Sequence, residues 1–227
     1  MQQQSLGNIT EHPRIAVSRE EYKRIMRNLR YYQSKWDDVE FMNTNGDMVK
    51  RPFNHLPIGR TAAKKIASLV YNEQATITVD ETVSGADDYV QSVLLNDRFN
   101  KNFERYFESC LALGGLAMRP YVDGDKVKIS FVQAPVFLPM RSNTQDISSA
   151  AIVTKTIKSE AQKNVYYTLI EFHEWKNKDE YTITNELYRS EVKDRVGDRV
   201  PLSELYEELG ETTTIKGLSR PLFTYLK

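Results

Sequence analysis

The sequence holds one cysteine, Cys110, only three histidines, and no excess charge of either sign. A single cysteine excludes an intrachain disulfide and fits a reducing compartment. It also excludes zinc sites of the finger or knuckle type, because His12, His55 and His173 lie far apart in the chain. No run of about 18 apolar residues occurs, so no transmembrane helix is expected. Met1 to Gln4 are polar and lack the apolar stretch of a secretion signal. The Asn8-Ile9-Thr10 sequon is therefore read as chance. Lys plus Arg number 31 and Asp plus Glu number 31. Grip on a polyanion comes largely from displaced counterions, so this balance argues against a dedicated DNA-binding module or an anionic-membrane partner. It leaves room for a local basic patch.

Catalytic signatures are also missing. There is no phosphate loop, no G-x-G-x-x-G and no G-x-S-x-G. Gly114-Gly115 is the one double glycine, and it falls at a predicted helix C-terminus. The dipole repels phosphate there, so a structural cap is the better reading. Cys110 lies on a Phe-rich apolar stripe and reads as a small buried hydrophobe rather than a thiolate. The carboxylate pairs Asp37-Asp38, Asp87-Asp88 and Glu207-Glu208 point apart and are taken as solvated. Glu171-Phe172-His173-Glu174 is the most suggestive metal cluster. On a strand, Glu171 and His173 share one face and Glu174 takes the other. Two ligands are too few, so a cross-strand polar pair or a solvent-facing row is expected. Tyr31-Tyr32 and Tyr166-Tyr167 are candidates for stacking on single-stranded nucleic acid, with packing preferred for both. No catalytic, cofactor-binding or metal residue is assigned, no cofactor is expected, and nucleic-acid-binding residues stay unknown.

What is present suits a folded core: 40% of residues are hydrophobic, with 13 Tyr and 9 Phe, too much apolar surface for a disordered chain. Met1 to His12 read as flexible. Ser18-Arg19-Glu20-Glu21 fits a capping box opening a helix. Tyr22, Ile25, Met26, Leu29 and Tyr32 form that helix's apolar side, and Lys23, Arg24, Arg27 and Arg30 a basic side read as solvated. Trp36 to Pro57 read as irregular, with a turn at Asn45-Gly46-Asp47. A second helix is predicted over Arg60–Tyr71, with Ala62, Ala63, Ile66, Ala67, Leu69 and Val70 as its apolar face, and its small alanines would let another element approach closely. Thr76–Val79 reads as a strand, and helices follow over Ala86–Leu95 and Asn100–Leu113.

Strand patterns then take over. Leu116–Val122 and Lys126–Val132 flank Asp123-Gly124, a hairpin signal. Ser149–Lys158, Asn164–Lys176 and Glu180–Ser190 predict an antiparallel meander, and Leu202–Leu209 one or two helical turns. The apolar run Arg220–Lys227 is expected either to pair into the sheet or to continue into further native chain. The fold class expected is α+β, a helical N-terminal half packed on an antiparallel β-rich C-terminal half. The organisation expected is a flexible segment over 1–14 and one α+β region over 15–227.

Three stretches resemble the portal proteins of tailed bacteriophages. The branch is that of long-tailed phages of Gram-positive hosts, often labelled minor capsid protein. The first stretch is Leu56 to Glu73, a helix running into Leu69-Val70-Tyr71-Asn72-Glu73, with a short strand after it at Ala75 to Val79. The second is Ala112 to Ile129, centred on Gly114-Gly115 and Pro120-Tyr121-Val122-Asp123-Gly124. It continues through Phe131-Val132-Gln133-Ala134-Pro135 and Phe137-Leu138-Pro139. The third is Gly217 to Lys227. The resemblance covers Arg51 to the last residue, and none of its blocks is a catalytic motif.

The resemblance implies a structural subunit, not an enzyme, carrying the wing-like part of a portal without stem, clip or crown. It implies a homo-oligomeric ring, usually dodecameric, at one capsid vertex of the virion, assembled in the host cytoplasm. Double-stranded DNA would pass through the ring during packaging and ejection. Capsid and scaffolding proteins, the terminase and head-tail connector proteins would be its partners. A hydrolase using surface carboxylates and a single-stranded nucleic-acid-binding module are the alternative readings.

Overall fold

The computed structural model describes residues 5–71, 76–79, 84–142, 147–160 and 163–227. Helix α1 (Arg19–Tyr32) starts where Ser18 predicts, with the Ser18 hydroxyl accepting from the Glu21 N–H at 3.1 Å. The reciprocal half of the box is absent, because the Glu21 carboxylate turns to Arg24 instead. The complete reciprocal box occurs earlier. Asn8 and Glu11 cap a 3-10 turn, Ile9–Glu11.

The stretch expected to be irregular contains a hairpin, β1 (Val39–Met42) with β2 (Met48–Arg51). The Asn43 side-chain oxygen accepts from the N–H groups of Asn45 and Asp47 and closes the turn. Four-residue strands are too short to show alternation, and nearly every residue in them is exposed. Helix α2 (Ile58–Val70) lies on α4 (Phe99–Leu113) through its alanines, as predicted. Ala63 and Ala67 are buried, while the other apolar residues of α2 are not. Tyr71 then seals the contact, donating to Asn100 and packing edge-on against Phe103.

The strand expected over Thr76–Val79 is not formed. These residues are exposed and run beside α3 (Ala86–Asn96), where Asp87 accepts from the Val79 N–H and Gln91 donates to the Ile77 carbonyl. Side chains on α3, rather than a strand, satisfy this backbone, and β-branching alone could not reveal that. Asn72 to Ala75 lie outside the described residues. On α4, Phe99, Phe103 and Phe107 stack in a file that meets Phe131.

Strands β3 (Leu116–Asp123) and β4 (Lys126–Gln133) form the predicted hairpin. The C-terminal run supplies β11 (Thr224–Leu226), which pairs with Leu116–Met118 on the other edge of β3. Pro120 lies beyond the reach of β11, so its missing N–H breaks no ladder bond on that edge. Gly115 leaves room for the Tyr225 ring: a Cβ there would sit 2.0 Å from the Tyr225 hydroxyl, so that side chain would have to shift.

The larger sheet follows the chain as a meander. Its strands are β5 (Phe137–Ser142), β6 (Ile147–Glu160), β7 (Lys163–Trp175), β8 (Glu180–Ser190), β9 (Asp198–Val200) and β10 (Thr212–Lys216). The order is β10-β8-β7-β6-β5, with β9 sharing the outer edge of β8. Both faces are buried along the middle of β7. One face meets the small sheet, with Ala150 and Ile152 against Ala117, Val132 and Phe223. Further along it, Tyr167, Leu169 and Leu187 pack on Leu202 of the 3-10 turn Leu202–Glu204, which stands where helical turns were predicted.

The opposite face corrects the expectation for residues 1–14. Leu6, Ile9 and Ile15 are buried on Ala151, Val153, Ile170, Phe172 and Tyr188. Met1 to Gln4 lie outside the described residues, but from Ser5 onward this segment is a strap across the sheet. Leu6 and Gly197 exchange two backbone hydrogen bonds of 2.9 Å. The polar composition misled because three apolar residues, well spaced, cover much of a sheet face to which α1 adds only Tyr22.

Candidate functional site

The strap brings a buried charge cluster together. Glu186, on β8, accepts from the Tyr188 hydroxyl at 2.8 Å and lies 3.1 Å from His12 Nε2. Arg14 and Arg199 approach its other oxygen at 3.8 and 3.6 Å. Burial pushes the Glu186 carboxyl up, but the hydrogen bonds from His12 and Tyr188 and the charges of Arg199 and His12 outweigh it and hold it at about 2. Arg14 also pairs with Glu174 and lies over the Phe172 ring at 3.9 Å. The cluster ties the strap to the sheet through His12 and Arg14. Sequence reading missed Glu186 because its partners His12 and Arg14 are more than 170 residues away in the chain.

Glu171 and His173 share one sheet face and Glu174 the other, as strand alternation predicts. The first two are not solvent-facing, however. They lie between the two sheets, where Glu171 takes a 2.9 Å salt bridge from Arg119 on β3. His173 is 2% exposed; its Nδ1 is 3.2 Å from the Tyr181 hydroxyl, and its Nε2 has no partner among the described residues. Burial, reinforced by Arg119, pushes the imidazole down to about 4. Covering by the small sheet is a tertiary event that alternation along one strand does not encode. Among the described residues no group of three or more His, Cys, Asp or Glu could hold a metal.

The His173 shift carries a pH prediction. Its folded-state value lies below the unfolded one, so unfolding takes up a proton and stability falls as pH drops from about 6.5 towards 4. Urea unfolding should lose roughly 2–3 kcal/mol across that window. His173→Phe, which keeps an aromatic ring against Phe223, should flatten this slope and leave the separate loss below about 4.5 that Glu186 produces. An unchanged slope in the variant would assign it to another group.

The remaining candidates are structural. Cys110 is buried, its thiol pushed up by burial, and Gly114 ends α4 in a left-handed conformation as a cap. Asp38, Glu207 and Glu208 are exposed as expected. Asp37 pairs with Arg30 and Asp87 holds the Val79 backbone, so those two are engaged rather than merely solvated. Of the tyrosine pairs, Tyr167 is buried with its hydroxyl on Glu204, and Tyr166 is half-buried. Tyr32 donates to Glu108, and burial with that carboxylate pushes it up to about 12. Tyr31 stays exposed. His55 is part of an aromatic cluster with Trp36 and Phe53. Lys23, Arg24, Arg27 and Arg30 are all exposed on α1.

One surface stands out for what it leaves in water. Ile58, Ala62, Ile66 and Leu69 form a stripe on α2 at i, i+4, i+8 and i+11, with Val70 beside it. Leu56 and Ile58 are 79% and 70% exposed, and Leu69 and Val70 are 67% each. Leu56, Pro57, Ile58, Thr61, Ala62 and Lys65 line a shallow groove of about 380 Å³ at its start. Met42 and Met48 of the neighbouring hairpin are exposed as well. Scattered exposed apolar residues need no explanation, but a helix with its larger apolar face outward marks a contact surface. The sequence shows this face, but not that only the alanines would be used internally.

No helix among the described residues is long and apolar enough to cross a membrane. No curated protein matches the chain. Comparison with protein families gives a match over residues 11–219 to phage portal proteins of the SPP1 Gp6-like kind. That span takes in the strap from Glu11 onward, helices α1 to α4 with the outward face of α2, and strands β1 to β10. A structural family fits a polar inventory committed to holding strap and sheets together, and the chain belongs to the phage portal protein family.

Proposed function

We propose that the chain forms the wing-like region of a portal ring subunit, a structural and non-catalytic part of the capsid vertex through which double-stranded DNA is packaged and ejected. Copies of the chain surround a common axis, and capsid, scaffolding, terminase and head-tail connector proteins bind the ring. The observation that carries this reading is the outward apolar stripe of α2 in a chain of the portal family. A closed ring needs a surface on each copy that is covered only by the next. The stripe suits that role because its own subunit covers only Ala63 and Ala67.

Negative-stain electron microscopy of the protein, alone and with the capsid and scaffolding proteins of its phage, tests this. Rings are expected in at least one of the two conditions. The double variant Ile66→Asp with Leu69→Asp should prevent them while leaving thermal unfolding within about 0.5 kcal/mol, since both residues are exposed. Rings formed equally well by the variant would refute the assigned surface. A wild-type chain that stays monomeric in both conditions would refute the ring.

A further inference from the structure

Helix α1 carries a row that packing does not use. Arg19, Lys23 and Arg27 recur at every fourth position, and Tyr31 continues the same row. All four are exposed, opposite the buried Ile25. Arg19, Lys23 and Arg27 have no carboxylate partner among the described residues, whereas Arg24 is taken by Glu21 and Arg30 by Asp37. From Arg19 to Lys35 there are six Lys or Arg against two Glu, so the chain's neutral total hides a local positive stripe.

At the end of this row the exposed side chains become aromatic. Tyr31 stacks on Trp36 with ring centres 4.7 Å apart and planes 20° from parallel. Trp36 packs in turn against His55 at 5.1 Å and Phe53 at 5.7 Å. Tyr31, Trp36 and Phe53 stay 48%, 42% and 46% exposed. The stack is outside every buried core cluster among the described residues. It holds flat rings in place at the surface.

We propose that this face of α1 binds single-stranded nucleic acid. Arg19, Lys23 and Arg27 would meet successive phosphates, and a base would add to the outer face of Tyr31. Steps of four residues advance about 6 Å along a helix, comparable to the phosphate spacing of an extended strand. A cationic track ending in an aromatic platform is the arrangement that single strands use, since every base has a face to stack. An acidic protein segment would satisfy the cations but gives the ring stack nothing to stack on. This surface is distinct from the α2 stripe, so it goes beyond the assembly reading and its failure would leave that reading intact.

The test is fluorescence anisotropy of the whole chain with a labelled oligothymidylate of about 20 nucleotides, and with a duplex of equal length. Binding should weaken with salt at a slope of about −2 on logarithmic axes, as three contacts to a single strand give. Arg19→Gln, Lys23→Gln and Arg27→Gln together should cut affinity at low salt at least about tenfold and remove most of that slope. With Trp175→Phe leaving Trp36 as the one tryptophan, oligothymidylate should quench its emission. Tyr31→Ala should weaken binding and change that quenching. Exposed sites make these variants foldable, which thermal melting checks. Absence of salt-sensitive binding, or binding indifferent to the triple variant, would overturn the proposal. So would displacement by poly-glutamate as effective as by oligonucleotide, which would point to an acidic protein. A preference for duplex with no effect of Tyr31→Ala would overturn the single-strand assignment.

Discussion

Removal of residues 1–14 is expected to abolish cooperative folding of the protein. The deletion takes Leu6 and Ile9 off the sheet, each buried to 5% exposure or less. Burial of such side chains contributes about 1.5–3 kcal/mol apiece. It also removes His12 and Arg14, leaving Glu186 buried with only Tyr188 and the more distant Arg199. Breaking a buried ionic cluster on one side costs roughly 3–5 kcal/mol. Together these losses rival the roughly 5–15 kcal/mol stability of a whole domain. The uncovered face would present Ile170 and Phe172, both 0% exposed in the intact protein. Urea unfolding followed by tryptophan fluorescence, with dye binding for exposed apolar surface, should show no sigmoidal transition and strong dye uptake. A sharp transition within about 1 kcal/mol of wild type would mean that the strap is an accessory.

The second large effect is expected at Gly197. Its φ is +90°, and a Cβ there would lie 2.0 Å from the Arg189 carbonyl oxygen, a backbone atom that cannot swing away. Gly197→Ala must therefore move the 191–197 loop or β8, and either movement breaks the paired bonds to Leu6. Left-handed strain of about 1–3 kcal/mol adds to the lost bridge. A destabilisation of roughly 3–5 kcal/mol should appear as a lower urea midpoint with unchanged slope. Gly210→Ala is the control: no atom lies within 4 Å of the Cβ that it would add, and its φ is outside the strained range. Equal destabilisation by both substitutions would show that flexibility, and not the close approach at Gly197, is what matters.

The parts of this fold readable in advance are those written locally. Ser18 marked the start of α1, and Asp123-Gly124 marked the β3–β4 turn. Apolar spacing drew α4, and the strand candidate over Glu180–Ser190 formed with the same bounds. What stayed hidden was decided by distant chain. The strap reads as polar because only Leu6, Ile9 and Ile15 carry its apolar contacts, while His12 and Arg14 reach partners on distant strands. Thr76–Val79 has strand-forming residues and no strand beside it, because α3 takes its hydrogen bonds. Glu171 and His173 look like a wet row until β3 and Arg119 cover them. The site followed the same rule. The apolar face of α2 was visible as spacing, but the outward direction of its larger residues depends on α4 accepting only Ala63 and Ala67. The basic side of α1 was visible too, whereas the ring stack at its end needs Phe53 and His55, some twenty residues on.

The bridge between Leu6 and Gly197 joins two segments that are far apart in the chain. A ribosome must therefore synthesise the chain through Gly197 before this bridge can close. Until then the face carrying Ile170 and Phe172 is bare as each strand emerges, and closing so long a loop is slow. The nascent chain thus passes through a half-covered state in which that apolar face is open to other chains.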